Sequence, residues 1–202
     1  MKEPKKVFFD GKFVGEVPDT GDAQADLKAM STLLTERGVA APLTRPQAAF
    51  RQASAFAINA QHLFNTGLIG APPSNPMNVI PFAVNAAFAI ELYLKTLGFV
   101  HGRKPHGHNL LDLLDDLPAE AKEQLRLEIA RAPATTGIKD FDGFRTEVGR
   151  ARNVFKEWRY LHERSSAPEI RFLEFIHVLN VLHNVCRTDD RISTTESSGR
   201  SL

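Results

Sequence analysis

The sequence predicts a mostly α-helical protein, on three observations. Five amphipathic or apolar segments of helical period follow one another from Thr44 to Arg187, strand-like patterning is confined to the opening residues, and short Gly- or Pro-containing connections separate the segments. A chain of 202 residues can bury a real core without a disulfide scaffold.

The appendage comes first. Val7 to Val17 reads VFFDGKFVGEV, two β-branched and aromatic runs around Asp10-Gly11, a dipeptide suited to a tight hairpin turn. Leu27, Met30 and Leu34 then recur at helical spacing until Gly38, which fits a helix stop. Residues 1–40 are thus expected to form a hairpin plus helix, residues 44–187 a helical bundle, and residues 188–202 a disordered polar tail.

Within the bundle, Thr44 and Gln47 form a capping-box pattern ahead of Ala49, Ala53, Phe56, Ala60 and Leu63, so the first helix should end near Gly67. GAPPSNP, residues 70–76, cannot continue it. The apolar stretch that follows, ending near Gly98, contains Pro81, Asn85, Glu91 and Lys95, and reads as a core helix, not a membrane span.

Asn109 can cap a third helix through Leu117, with Pro118 opening a fresh turn that carries on to Ile129. From Asp140, the residues Phe144, Val148, Ala151, Phe155, Trp158 and His162 share one face of a fourth helix. Ser166 and Glu169 make a second capping box before Phe172, Leu173, Ile176, Leu179, Leu182 and Val185 of a fifth.

A net charge of +1 imposes no global field for nucleic acid, membrane or acidic ligands, so any basic surface must be local. The opening MKEPKKVFFDGK has no apolar run, so no signal peptide is expected. The lone Cys186 sits in an apolar stretch where a buried, inert thiol is expected, which fits a cytoplasmic location.

Arg145, Arg152, Lys156 and Arg159 follow one another at spacings of seven, four and three, a basic stripe able to meet phosphates or to make ordinary surface ion pairs. Glu91 and Lys95 stand four apart on an apolar helix, where charge requires a partner, and Arg159 is a candidate for Glu91. Such groups serve either as a structural pair or as catalytic groups facing a pocket. His101, His106 and His108 share a loop without the Cys or HExxH context of a metal site, so neither metal nor cofactor is expected. There is also no phosphate-binding Gly-rich loop and no GxSxG elbow.

FAVNAAFAIELYLKTL at residues 82–97, HGHNLLDLLDDLP at 106–118 and ARNVFKEWRYLHE at 151–163 together resemble the bacterial HEPN-like helical family, over Thr44 to Arg187. The resemblance implies a five-helix, often dimeric bundle and frequently a metal-independent endoribonuclease of toxin-antitoxin, phage-defence or RNA-processing systems, with an antitoxin or other protein partner. Many such proteins are non-catalytic binding modules. In the catalytic ones, an Arg usually followed by a polar residue precedes a His by four to six intervening residues. Arg152-Asn153 opens that pattern, but Glu157, Trp158 and Arg159 occupy the histidine positions and His162 comes too late. Arg171 and His177 keep the spacing, with Phe172 in place of the polar neighbour.

Two readings follow. As a ribonuclease, the chain would use Arg152, Arg159 and His162 or His108, with Glu91 orienting an arginine and Arg145, Lys156, Lys95 and Asn153 at the RNA contact. As a non-enzymatic interaction or ligand-binding module, it would use Glu91, His108, Asn109, Arg159, Tyr160 and Glu163 as a buried polar network.

Overall fold

The computed structural model describes residues 2–9, 11–39, 43–70, 73–133, 136–152 and 170–193. They fall into two compact units, residues 1–44 and 45–202.

In the first unit, β1 (Lys5–Phe9) pairs antiparallel with β2 (Lys12–Val17). Phe9 opposes Lys12, which leaves the two-residue turn expected around Asp10-Gly11, and Gly11 takes φ +76° as that turn requires. Val7 pairs with Gly15 but Phe8 with Phe13, so Val14 is an extra, bulged residue. Helix α1 (Ala23–Glu36) is capped by Asp22, whose carboxylate accepts from the N–H groups of Gln24 and Ala25. Gly15 gives the helix room to approach, since a Cβ there would lie 3.1 Å from a Leu33 methyl.

The anticipated Leu27, Met30, Leu34 stripe is only partly inward: Leu27 is 64% exposed, and the fully buried position of α1 is Asp26. Asp26 Oδ2 accepts from Lys5 Nζ at 2.5 Å, while Oδ1 accepts from the Thr20 hydroxyl at 2.6 Å and the Thr20 N–H at 2.9 Å. A carboxylate saturated in this way overrides the apolar period, because its donors replace water. The Lys5 hydrogen bond, then those of Thr20, hold Asp26 far below the usual carboxylate pKa. A depressed folded-state pKa stabilises the native unit above the unfolded value of about 3.9, and that stabilisation is lost as pH falls through the lower folded value. Protection factors of the hairpin amides, which are corrected for intrinsic exchange, should therefore fall at acid pH in the wild type, and Asp26→Asn should show the lower protection already at pH 7.

In the second unit, α2 (Arg45–Leu63) runs on into a π-helical turn (Phe64–Leu68), and a 3-10 turn (Pro76–Asn78) leads into α3 (Val79–Val100). The break sits where the Pro- and Gly-rich segment demands it. Asn75 caps the 3-10 turn by accepting from the Met77 N–H, and the Asn78 amide donates to the Leu63 carbonyl at 3.2 Å. Gly67 is held tightly there: a Cβ would fall 2.6 Å from Asn78 Nδ2 and 2.8 Å from Asn75 Cβ. Gly67→Ala should cost about 1–3 kcal/mol by overpacking, read as a lower urea midpoint.

Helix α3 is the axis of the core. Phe82, Ala83, Ala86, Ala87, Ala89, Ile90, Tyr93, Leu94 and Leu97 are all fully buried. Its alanines let α2 come close through Ala53 and Ala60, and α3 packs most extensively on α2 and next on α7 (Phe172–Arg187). By length and composition α3 could cross a membrane. Half of its apolar stretch is buried inside the bundle and it carries Glu91 and Lys95, which fits the core helix of a soluble protein.

The expected third helix is two helices, α4 (Leu110–Asp115) and α5 (Ala119–Arg131), separated at Pro118. Asn109 caps α4, accepting from the Leu111 N–H at 3.2 Å. Helix α6 (Phe141–Ala151) starts at its Asp140 cap and buries Phe144, Val148 and Ala151 as the period predicts. Phe155, Trp158, His162 and the Ser166/Glu169 capping box lie outside the described residues.

The buried Gln47 side chain donates to the Ile192 carbonyl at 3.5 Å, which ties the first turn of α2 to residue 192. The chain after Thr188 stays ordered longer than its polarity suggests, because α8 (Asp190–Ser193) buries Ile192 and Arg191 donates to the Val100 carbonyl at 3.0 Å. Arg191 is held against Asp189 by paired bonds of 2.9 and 2.7 Å, a contact that polarity alone does not announce.

Candidate functional site

Helix α3 places Glu91 and Lys95 one turn apart, and the loop before α4 brings His108 back to the same carboxylate. Glu91 is 5% exposed. Its Oε1 accepts from Lys95 Nζ at 2.7 Å and from His108 Nδ1 at 2.9 Å. Its Oε2 is buried and has no hydrogen-bond partner among the described residues. A buried carboxylate keeps its charge only with such donors around it, so the pairing explains how an acid sits in an alanine-rich core helix.

The hydrogen bond fixes the histidine's tautomer. A carboxylate can only accept, so neutral His108 carries its proton on Nδ1 and presents Nε2 as a lone pair. The side chain is 82% exposed, so that nitrogen is open to a ligand. A buried acid orienting an accessible imidazole is the arrangement used for general-base chemistry. Asn109, adjacent, is spent on capping α4.

The other candidates separate. Arg145 is clamped to Asp115 by two bonds of 2.9 and 2.7 Å, and this guanidinium holds Asp115 below the usual carboxylate range. The sequence stripe therefore contributes an ion pair at this position. Arg152 is exposed at the end of α6 and joins none of these pairs. Asn153, Lys156, Arg159, Tyr160, His162 and Glu163 lie outside the described residues, and with them the Glu91–Arg159 pairing.

The histidines do not share a site: His101 Nδ1 faces Glu120 at 3.4 Å, whereas His108 faces Glu91. Arg171 and His177, the pair with the bare motif spacing, also part ways. Arg171 donates to Glu147 at 2.9 Å and pairs with Glu174 at 2.6 Å, while His177 meets Thr136 at 3.1 Å.

Sequence reading missed Glu147, which is buried on α6 and also bonded by Arg150, and Tyr93, whose hydroxyl lies 2.9 Å from His183 Nδ1. Burial pushes the Tyr93 phenol up to about 12 and the Cys186 thiol well above its ordinary value, so Cys186 is inert as expected. Glu147 could have been noticed as an acid three residues before Arg150 on an apolar-striped helix; the Tyr93–His183 contact joins residues ninety apart and leaves no local signal. No family model, curated protein or solved structure matches the chain.

Proposed function

We propose that the helical unit is a HEPN-like bundle of a bacterial stress or defence system that acts on RNA without a metal, with His108 as the proton acceptor. The observation that carries this reading is the hydrogen bond from the exposed His108 ring to the buried Glu91 carboxylate. Nε2 would take the proton of an RNA 2′-hydroxyl as the 2′-oxygen bonds to phosphorus. The 5′-oxygen then departs with a proton from a second donor, leaving a 2′,3′-cyclic phosphate. Glu91 positions the base, and Arg152, exposed and outside any described ion pair, is the candidate for phosphate charge. A homodimer in the cytoplasm is part of the same reading, as are RNA and an antitoxin-type protein as partners.

Purified protein should cleave single-stranded RNA in EDTA, and His108→Ala should lower the rate about 100-fold or more, the contribution of a general base. RNA left intact by the wild type, or cut equally by His108→Ala, rejects the assignment.

A second reading has its own support. Lys95 is neutralised by Glu91 and Arg145 by Asp115, so two expected phosphate contacts are committed within the bundle. On that reading the unit is a non-catalytic protein-interaction or ligand-binding module, and His108→Ala changes stability without any activity to lose.

A further inference from the structure

The N-terminal unit exposes three phenylalanines at the turn end of its hairpin. Gly15 faces Leu33 of α1, and Val7, its partner across the strands, is buried on that same side. Strand side chains alternate, so Phe8 and its partner Phe13 stand on the face turned away from α1. They are 59% and 57% exposed, and Phe9 is 38% exposed. The Phe8 and Phe13 rings meet edge to face, with centroids 5.7 Å apart. Such a contact uses the edge of one ring and one face of the other, so each ring keeps a face for another planar group.

The charges beside these rings are sorted. Phe9, Lys12, Phe13, Val14, Arg37 and Val39 line a cleft of about 470 Å³, with two cations and no acid among the described lining residues. Lys12 and Arg37 are exposed and make no ion pair among the described residues. By contrast, Asp19 and Asp26 pair with Lys5, Asp22 caps α1, and Glu16 and Glu36 line a different groove with Lys28. Asp10, in the turn, lies outside the described residues.

Open aromatic rings beside such cations suit a strand of unpaired bases joined by phosphates. Every base offers a face to stack, and every linkage offers an anion. A second copy meeting this patch with its own would also cover the rings, but it would set cations against cations.

We propose that the turn end of the hairpin binds single-stranded RNA, with bases stacked on Phe8 and Phe13 and phosphates held by Lys12 and Arg37. The surface belongs to the N-terminal unit alone. The choice of RNA over DNA rests on the reading of the helical unit as an RNA-acting bundle.

Fluorescence anisotropy should follow the full chain binding a fluorescein-labelled single strand of 2′-O-methyl RNA about ten nucleotides long. That strand has no 2′-hydroxyl to attack phosphorus, so binding is measured whether or not the chain cleaves RNA. Saturable binding that weakens with added salt is expected. Phe8→Ala and Phe13→Ala, both at exposed positions, should each weaken it about tenfold, the loss of one stacked base. Phe13→Trp should keep the wild-type affinity, and Phe13→Leu should bind like Phe13→Ala. Lys12→Ala should weaken binding and flatten the slope of log affinity against log salt by about 0.7. No saturable binding by the wild type, full affinity in both alanine variants, Phe13→Leu binding as tightly as Phe13→Trp, or tighter binding of the matching DNA strand overturns the proposal. So does a wild-type dimer that Phe13→Ala dissolves while RNA affinity stays. Cleavage by His108→Ala is read separately on ordinary RNA, so this proposal and the catalytic reading fail independently.

Discussion

Replacing Glu91 with alanine is expected to destabilise the helical unit by about 3 kcal/mol and to lower its melting temperature by roughly 6–12 °C. The loss has two parts. Lys95, whose side chain is 17% exposed, would keep its charge in a mostly buried position with no carboxylate beside it. The loop carrying His108 would lose its tether to α3. Glu91→Gln keeps the volume and one accepting oxygen, so it should cost less than Glu91→Ala, although it leaves Lys95 without its counter-charge. Thermal unfolding by circular dichroism at pH 7 gives the comparison. A Glu91→Ala protein melting with the wild type would show that the buried carboxylate does not hold the bundle.

Phe82→Ala should be costlier, about 3–5 kcal/mol, because removing a fully buried aromatic ring leaves a cavity in the core. Phe82 is fully buried near the start of α3, and its ring centroid lies 5.3 Å from that of Phe172, 6.2 Å from Phe64 and 6.3 Å from Phe175. One truncation therefore removes contacts to the π-helical turn and to α7 together. Urea denaturation should show a lower midpoint with an unchanged slope. A changed slope would mean that α7 has detached in the native state, a different failure from a cavity.

The helices were legible because their signals are local. Asn109 announces a cap, Pro118 a restart, Gly11 a turn, and Phe144, Val148 and Ala151 one buried stripe, each within a few residues. The candidate site was legible in part. An acid and a lysine four apart on an apolar helix predict each other, and the structure pairs them. That His108 joins them depends on how a loop returns, which no local pattern encodes. The Arg145–Asp115 clamp is likewise a contact between α6 and α4, so a stripe read on one helix could not reveal it.

Elsewhere the polar groups misled. Asp26 occupies the buried position of α1 because Lys5 and Thr20 satisfy it, and periodicity counts it as a solvent-facing charge. Ile192 is a lone apolar residue in a polar run, yet it is buried, with Arg191 bonded to the end of α3. In both places, long-range hydrogen bonds outweigh composition.

The tautomer of His108 is the most direct measurement. Nitrogen-detected NMR of the ring, at a pH where it is neutral, should find the proton on Nδ1 in the wild type and a shift toward Nε2 in Glu91→Gln. A ring protonated on Nε2 in the wild type, with no response to Glu91→Gln, would contradict a buried carboxylate that orients an accessible base.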